Sequence, residues 1–317
     1  SAYQSLYSEF QLNENDADYV LSQIILASEE IWKDKWQQLQ KNKKSVPDSL
    51  SASIIDLAGA SLFYQQRFPE SQKSFDFFLL VANTYKVQDN WPEAFSFWQR
   101  VLLKSRTFSQ RAKAIRGLVY GYIKQNNYTD LIANIRSFIQ LEQFPIEERS
   151  LREELLEVLA VALKKEKTRY VQKGQLGEGA DLYAQTAFLF HDLPGREVFL
   201  KEAAYDYALN ADFPKLKNLC DQYIRRGLAQ YKSDVLYLRA KSLDEQLFID
   251  QAAIEYISFA KEYKKHKHAK KAFQRGAELF FAIDHYEEAG DSFLQAAQYA
   301  SGEEYEEMML LAYDIFL

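Results

Sequence analysis

One pattern of side chains recurs at a fixed internal spacing through most of this chain. A small residue is followed by an aromatic residue three positions on, a second aromatic nine on, a small residue twelve on and a large one sixteen on. The two sharpest copies are Ala82, Tyr85, Trp91, Ala94 and Trp98, and Ala277, Phe280, Tyr286, Ala289 and Phe293. Such self-similarity predicts an array of like structural units rather than one compact core.

Four looser copies lie between these two. They are Val119, Tyr122, Tyr128, Leu131, Ile135 and Phe138; Thr168, Val171, Gly177, Ala180, Ala184 and Ala187; Ala204, Tyr207, Phe213, Leu216, Cys220 and Tyr223; and Ala240, Leu243, Ile249, Ala252, Tyr256 and Phe259. Successive copies begin about 37, 49, 36, 36 and 37 residues apart, close to a helix-turn-helix unit of roughly 34 residues. The interval of 49 predicts an insertion, which we place in a lengthened helix over residues 150–173.

We call this recurring pattern of small and aromatic residues the column. Packing between antiparallel helices explains it, because small residues let helix axes approach and aromatic side chains fill the remaining gaps. Turn-forming residues precede the second helix at 89–92, 126–128 and 212–214. With 11 Gly and 6 Pro among 317 residues, the chain has little of the punctuation that an all-β fold needs. We therefore predict an all-α fold, a right-handed α-solenoid of antiparallel helix pairs in which each pair needs its neighbours.

The spacing resembles that of the tetratricopeptide repeat family over residues 75–301. The resemblance implies a superhelix whose first helices line a concave groove that takes a peptide or a partner helix. Most copies here lack the proline that closes the family's second helix, which indicates a divergent, bacterial-type member. Residues 64–71, Tyr-Gln-Gln-Arg-Phe-Pro-Glu-Ser, are similar to the inter-repeat junction of bacterial envelope tetratricopeptide proteins such as the outer-membrane assembly lipoproteins.

The column divides the chain into three parts. Residues 1–72 lack it and are predicted to form an atypical N-terminal helical cap, with helices over 16–41 and 50–66, because an end repeat exposes its outer face. Residues 73–303 are predicted to form six tetratricopeptide-like helix pairs, and residues 304–317 the start of a further helix. Since the sequence begins at Ser1 without a Met and ends inside a helical pattern, we expect a fragment of a longer protein.

Charge and composition exclude several classes of partner. A net charge of −6 and a pI near 5.5 provide no positive field for nucleic acid. No run approaches the roughly 18 apolar residues of a membrane helix, so direct membrane insertion is not expected. A single cysteine excludes an internal disulfide and a cysteine metal site. The compartment stays open, with the periplasm favoured over the cytoplasm by the envelope resemblance.

Three groups of residues could carry chemistry, and each has a simpler interpretation. The glycines of 174–179 are predicted to form a turn, because neither a preceding strand nor a Gly-Lys-Ser/Thr sequence accompanies them. His266 and His268 are interpreted as part of a solvated basic junction, since neighbouring lysines repel a metal ion. Cys220 is predicted to be a buried thiol. No catalytic site, cofactor, metal or small-molecule substrate is predicted.

The family resemblance implies that inward-facing positions of the first helices bind the partner. On this sequence these positions are Asn83, Lys86, Arg116, Tyr120, Lys124, Lys201, Tyr205, Tyr237, Lys241, Gln274 and Glu278. Tyr and Arg are common anchors at interfaces, and Lys or Asn can hold carboxylates. The alternative, that some of these side chains only solvate the groove, stays open.

Chaperone-adaptor members of the family clamp a terminal carboxylate with Lys and Asn side chains. Asn83 and Lys113 fit that pattern, but Leu79 and Gly117 stand where a Lys and an Asn would be expected. We therefore do not assign that function.

Two functional hypotheses follow from the sequence. The first is a non-catalytic scaffold that binds other proteins through the concave groove, with a bacterial envelope complex as one setting. The alternative is a regulatory or sensor domain of a larger protein whose enzyme lies outside this sequence.

Overall fold

A computed structural model describes residues 14–42 and 48–317, with side chains over 16–41 and 53–317. All regular structure in these ranges is helical, and no strand occurs in them. The α-helices are α1 (Glu14–Asn42), α2 (Asp48–Arg67), α3 (Lys73–Val87), α4 (Trp91–Lys104), α5 (Phe108–Lys124), α6 (Tyr128–Leu141), α7 (Arg149–Gln172), α8 (Leu176–Leu189), α9 (Arg196–Leu209), α10 (Phe213–Arg225), α11 (Lys232–Glu245), α12 (Ile249–Glu262), α13 (Ala269–Ala282), α14 (Tyr286–Ala297) and α15 (Glu303–Phe316). None of these helices is long and apolar enough to cross a membrane.

The chain divides into two compact units, the first ending at Leu155 and the second beginning at Leu156. In the first unit α1 to α6 pack in chain order, each helix on the next, and α3 also contacts α5. In the second unit α8 to α15 pack in the same order, and α9 also contacts α11. The predicted all-α organisation as a solenoid of antiparallel helix pairs is confirmed.

The predicted insertion is a longer helix. Helix α7 has 24 residues, whereas α8, α9 and α11 to α13 have 14 each. A short 3₁₀ turn, Ile146–Glu148, precedes it. The segment predicted to be an N-terminal cap forms α1 and α2, and most of the loop predicted over 42–48 lies outside the described residues. Its capping role stays a prediction.

The small residues of the column form the contacts between paired helices. Ala82, Ala94, Ala277 and Ala289 are completely buried, and Trp98 is 1% exposed. A methyl group at these positions lets the facing helix approach, and an aromatic ring from the next turn fills the space beside it. The hydrophobic core is therefore distributed along the helix pairs.

The turn inside each pair has one repeated backbone geometry. A residue in the left-handed region ends the first helix, and the next N–H donates to the carbonyl oxygen five residues earlier, as Asn90 does to Tyr85 at 3.0 Å. This is the hydrogen bond of a Schellman motif, which satisfies a carbonyl at the helix end. The left-handed residues are Asp89, Asn126, Gly174, Ala211, Leu247 and Asp284, with φ from 53° to 72°.

These turns correct the predicted register of one repeat. The left-handed residue comes seven positions after the first column residue in five copies, but six after Thr168. Gln175 N–H donates to Tyr170 at 2.9 Å, as Asn90 does to Tyr85. The copy therefore begins at Lys167, and the long interval is 48 residues rather than 49. The predicted alignment was wrong because a lysine occupies the small-residue position.

Leu247 shows that the turn geometry is imposed by the helix pair rather than by the turn residue. It adopts φ of 61° and is 79% exposed, so its side chain gains little from packing. A left-handed conformation costs a residue with a Cβ roughly 1–2 kcal/mol.

We expect Leu247→Gly to raise the free energy of unfolding by about 0.5–1 kcal/mol, since the relief of strain exceeds the entropy that glycine gains in the unfolded chain. Urea unfolding followed by circular dichroism measures the change. Leu209→Gly is the matched control, because Leu209 is also exposed but helical, and glycine there should destabilise by up to about 1 kcal/mol. Destabilisation by both substitutions would contradict this account of the turn.

A polar cluster joins the first helix to the repeats. The Tyr64 hydroxyl donates to the Asp18 carboxylate, and Lys73 Nζ lies 2.6 Å from Asp18 Oδ2. Tyr64 Oη is also 3.2 Å from Ser71 Oγ, so the junction segment 64–71 takes part in this contact. The hydrogen bonds from Lys73 and then Tyr64 lower the pKa of Asp18. Helices α1, α2 and α3 thus share one carboxylate.

The Asp18 cluster predicts a pH dependence. Because the pKa of Asp18 is lower in the folded chain than in the unfolded chain, where it is about 4, the ionised form stabilises the fold above that pH. This contribution is lost as the pH falls through the folded pKa. Asp18→Asn should cost on the order of 1 kcal/mol at pH 7, and this cost should shrink as the pH falls and the carboxylate becomes protonated.

Urea unfolding of the wild type and the variant across this pH range tests the expectation. Asp34→Asn, on the exposed side of the same helix, is the control and should be neutral throughout. A constant difference between wild type and Asp18→Asn at every pH would show that the carboxylate charge is not responsible.

Candidate functional site

The residues predicted to bind a partner fall into two groups, one in each unit. In the first unit, Tyr120 on α5 is 43% exposed and is surrounded by cations. Lys86 Nζ lies 4.3 Å and Lys124 Nζ 5.6 Å from the centre of its ring, within range of a cation–π interaction. The ring of Trp91 is 5.9 Å away, centre to centre. The structure thus brings Lys86, Tyr120 and Lys124 together on one basic aromatic surface, which we call the Tyr120 surface.

Two other predicted residues of the first unit are Asn83 and Arg116. Asn83 is exposed on α3, the helix that carries Lys86. Arg116 Nε lies 3.6 Å from Glu154 Oε2, and both side chains are about half exposed. An ion pair of this kind contributes little to stability, and it offsets part of the positive charge expected at Arg116.

In the second unit, the first helices of three successive pairs enclose a pocket of about 560 Å³. Five of the predicted residues line it, namely Tyr205, Tyr237, Lys241, Gln274 and Glu278. They come from α9, α11 and α13, which place them on one face because the column fixes how successive pairs stack. We call this cavity the Tyr237 pocket.

Aromatic rings form one wall of the Tyr237 pocket. The Tyr237 ring stacks on His268, with centres 4.3 Å apart and an interplanar angle of 9°. The Tyr205 hydroxyl donates to Asp234 at 2.8 Å. Burial, together with this hydrogen bond, raises the pKa of Tyr205 to about 12. Both tyrosines are therefore held in place and remain protonated near neutral pH.

The charged groups of the Tyr237 pocket balance one another. Arg275 makes two hydrogen bonds to Asp244, at 2.8 and 2.9 Å, and one to Glu278 at 2.7 Å. The bonds to Asp244 and then Glu278 raise the pKa of Arg275. Three cations and three carboxylates line the cavity, so its formal charges cancel. Lys241 forms no ion pair with any described residue and is available to a ligand.

Lys201 lies outside this pocket. Its Nζ is 4.0 Å from the centre of the Tyr231 ring, where a cation–π interaction holds it. Gln274, by contrast, belongs to the pocket and donates weakly to Met308 Sδ at 3.8 Å. Whether any of these side chains binds a partner stays a prediction.

The interpretation of His266 and His268 as a solvated junction was wrong. Residues 263–268 form turns rather than helix, so the two rings can face the same side. Their centres are 5.4 Å apart, and His266 Nε2 lies 3.7 Å from Asp234 Oδ1. Burial, and then the nearby Lys267, lowers the pKa of His268. His268 is therefore a neutral part of the pocket wall at neutral pH.

Several residues of the pocket were not predicted from the sequence. Lys271 and Arg275 share a helical face with Gln274 and Glu278, so extension of that face by one turn would have found them. His268 comes from a turn, and no periodic signal marks it. No group of three or more His, Cys, Asp or Glu residues in the described part of the chain is arranged to hold a metal ion. Cys220 is buried as predicted, and burial raises the pKa of its thiol.

Comparison with known proteins finds similar solved structures. A tetratricopeptide repeat protein from Parabacteroides merdae has 10% identity, with 90% of this chain and 99% of that chain covered and a TM-score of 0.30. The TPR2AB domain of yeast Sti1, in complex with pHSP90, has 15% identity, with 78% and 100% covered and a TM-score of 0.28. The TPR domain of P58(IPK) has 12% identity, with 91% and 98% covered and a TM-score of 0.28.

All three are tetratricopeptide repeat proteins, the family that the residue spacing resembles. No family model and no curated protein sequence matches the chain. The fold assignment itself rests on the helix pairs described above.

Gly117 stands where the clamp of chaperone adaptors was expected to have an asparagine, and the structure leaves no space for a side chain there. A Cβ atom at this position would lie 2.3 Å from Trp98 Cε2, so the indole of α4 occupies the space that an asparagine would need. The position contributes to the packing of α4 on α5 rather than to a ligand contact.

We expect Gly117→Ala to lower the free energy of unfolding by about 1–3 kcal/mol, because the methyl group overpacks the contact with Trp98. Urea unfolding measures the loss. Gly59→Ala is the control: no atom lies within 4 Å of its added Cβ, so a helical alanine there should be neutral or stabilising. Equal stability of the Gly117→Ala variant and the wild type would show that Trp98 does not pack against position 117.

Proposed function

We propose that this chain is a non-catalytic scaffold that binds a partner polypeptide through the first helices of its pairs. The observation that carries the proposal is the Tyr237 pocket, in which five positions chosen from the repeat register line one cavity. These five are part of the eleven positions that the repeat spacing predicts.

The pocket has the properties of a site for one anchor side chain. Its volume of about 560 Å³ falls within the range of small ligand sites. Tyr237 is held against His268, so little side-chain freedom is lost when a partner binds. The unpaired Lys241 and the aromatic wall together favour an apolar or aromatic anchor next to a carboxylate or a backbone carbonyl.

The Tyr120 surface is a separate candidate contact within the first unit. Lys86 and Lys124 carry positive charge around an exposed ring, and no carboxylate pairs with either of them in the described residues. A partner segment with acidic residues complements this surface, and the attraction accelerates association at low salt.

The setting of the scaffold is a finer proposal. The junction segment 64–71 supports a bacterial envelope complex, and a regulatory domain of a larger protein is the alternative. The sequence on either side of these 317 residues discriminates the two, since a flanking catalytic domain would favour the alternative.

The proposal predicts that peptides selected on the purified chain bind at the Tyr237 pocket. Peptides from a displayed random library are enriched on the wild type, and their affinities are then measured by fluorescence anisotropy. Tyr237→Ala combined with Lys241→Ala should weaken binding at least about tenfold, the loss expected for an anchor contact.

The matched control is Tyr305→Ala combined with Lys265→Ala, which removes an exposed tyrosine and an exposed lysine outside the pocket. Affinity should be unchanged in the control. If both double variants bind the selected peptides like the wild type, partner binding does not use the Tyr237 pocket.

A further inference from the structure

A large groove lies on the second helices of the second unit, between α12 and α14, and has a volume of about 710 Å³. Both helices pack on α13, but they do not pack closely on each other, so a space is left between them. We call it the Ile254 groove. It is separate from the Tyr237 pocket, which the first helices of the pairs line.

Each wall of the Ile254 groove is one face of a helix. The residues of both walls have the spacing i, i+3, i+4 and i+7, which covers two helical turns, or about 10 Å. They are Ile254, Ile257, Ser258 and Lys261 on α12, and Glu288, Asp291, Ser292 and Gln295 on α14. Two ridges at helical spacing with a channel between them suit the packing of a further helix.

The floor of the groove is apolar and fixed. Ile257 and Phe280 are 7% and 8% exposed, whereas Ile254 at the rim is 50% exposed. A Cβ atom added to Gly276 of α13 would lie 2.5 Å from Ile257 Cδ1, so close packing of α12 on α13 holds this floor in place. An apolar side chain that enters the groove therefore covers Ile254 and meets a preformed apolar surface, which favours binding.

Charged residues line the groove itself, and the two signs lie at opposite ends. Lys261 is in the last turn of α12 and Lys264 follows that helix, whereas Glu288 is in the first turn of α14. The repeat spacing puts Ile254 and Asp291 at equivalent positions of helices that run in the same direction. Lys261 therefore lies about two turns, or about 10 Å, beyond the level of Asp291.

Most of these charges have no partner. Neither lysine forms an ion pair with any described residue, and Asp291 forms none either. Glu288 Oε1 is 3.6 Å from His285 Nδ1, and both side chains are about half exposed. Helix dipoles favour Glu288 and Lys261 at their helix ends but do not account for Asp291, which lies beyond the first turn. A ligand that lies along the groove can pair with both signs at once.

We propose that the Ile254 groove binds an amphipathic helix of another protein, with its acidic N-terminal turns at Lys261 and Lys264. The basic C-terminal turns of this helix face Glu288 and Asp291, and its apolar stripe covers Ile254. Acidic residues near the N-terminus and basic residues near the C-terminus also stabilise the helix itself through its dipole. The order of charges sets the direction of the bound helix, which is antiparallel to α12 and α14.

A second copy of this chain is the competing occupant. Helix α1 has acidic residues near its N-terminus and Lys41 in its last turn, and it exposes Tyr19, Leu26 and Ile31. It therefore offers similar chemistry in a copy of the same protein, and the experiment must separate the two.

The probes are three designed peptides of about 18 residues, long enough to be helical in water. All present leucines at positions i, i+4 and i+7. The mixed peptide carries glutamates in its N-terminal half and lysines in its C-terminal half, the lysine peptide carries lysines throughout, and the proline peptide is the mixed peptide with a central proline.

Fluorescence anisotropy should show that the mixed peptide binds the full chain at least about tenfold more tightly than either of the others, and less tightly as salt is raised. The lysine peptide is the informative comparison, because a chain with a net charge of −6 attracts it more strongly than the mixed peptide in the absence of a specific site. The proline peptide tests whether the ligand binds as a helix.

Two variants locate the binding. Ile254→Asn should weaken the mixed peptide about tenfold. Lys261→Glu with Lys264→Glu makes the groove acidic at both ends, so the lysine peptide should become the tighter ligand. The matched controls are Ile55→Asn, at an exposed isoleucine of the first unit, and Lys165→Glu with Lys173→Glu, which changes the net charge equally. Both controls should bind like the wild type, and circular dichroism verifies that every variant is folded.

A wild type that does not prefer the mixed peptide, a preference that the charge reversal leaves unchanged, or no binding at peptide concentrations of about 1 mM would overturn the proposal. Concentration-dependent self-association in sedimentation, if lost in Ile254→Asn, would also overturn it, because the occupant would then be a second copy.

Discussion

The close approach of two antiparallel helices at a small residue is the contact on which the rest of this structure depends. Ala82 and Ala277 are completely buried where paired helices meet, and Gly117 leaves only enough space for the Trp98 ring. Helices held this close must be joined by a tight turn, and the left-handed residue with its Schellman hydrogen bond provides it. Even Leu247 adopts this conformation, so the helix contact imposes the turn. The way in which successive pairs pack also determines the surfaces available to partners, such as the Tyr237 pocket between α9, α11 and α13.

The fold could be predicted from the sequence because both structural requirements are local. The small residue and the aromatic residue recur on a helical period, and turn-forming residues mark most of the bends. The prediction failed in the copy that begins at Lys167, where a long side chain takes the place of the small residue. That lysine is accommodated by ion pairs with Glu202 at 3.0 Å and Asp206 at 2.8 Å, partners on another helix that no local pattern reveals.

The candidate site could be predicted only where it follows the helical face. Tyr205, Tyr237 and Lys241 were found because their positions repeat from one pair to the next. His268 was not, because a turn of irregular geometry brings it against Tyr237. The ion pair of Arg275 with Asp244 was also missed, since it depends on the distance between α11 and α13. The depression between α4 and α6 has no periodic signal, because it results from the separation of these two helices.

The unequal spacing of these four helices also has a mechanical meaning within the first unit. Since α3 and α5 touch while α4 and α6 stand apart, the contact between the first helices lies on one side of the two pairs. A rotation about that contact would change the distance between α4 and α6 more than the distance between α3 and α5. A ligand bound between α4 and α6 would oppose such a rotation and hold the two pairs at a fixed angle. The same gap would then determine the local stiffness of the array.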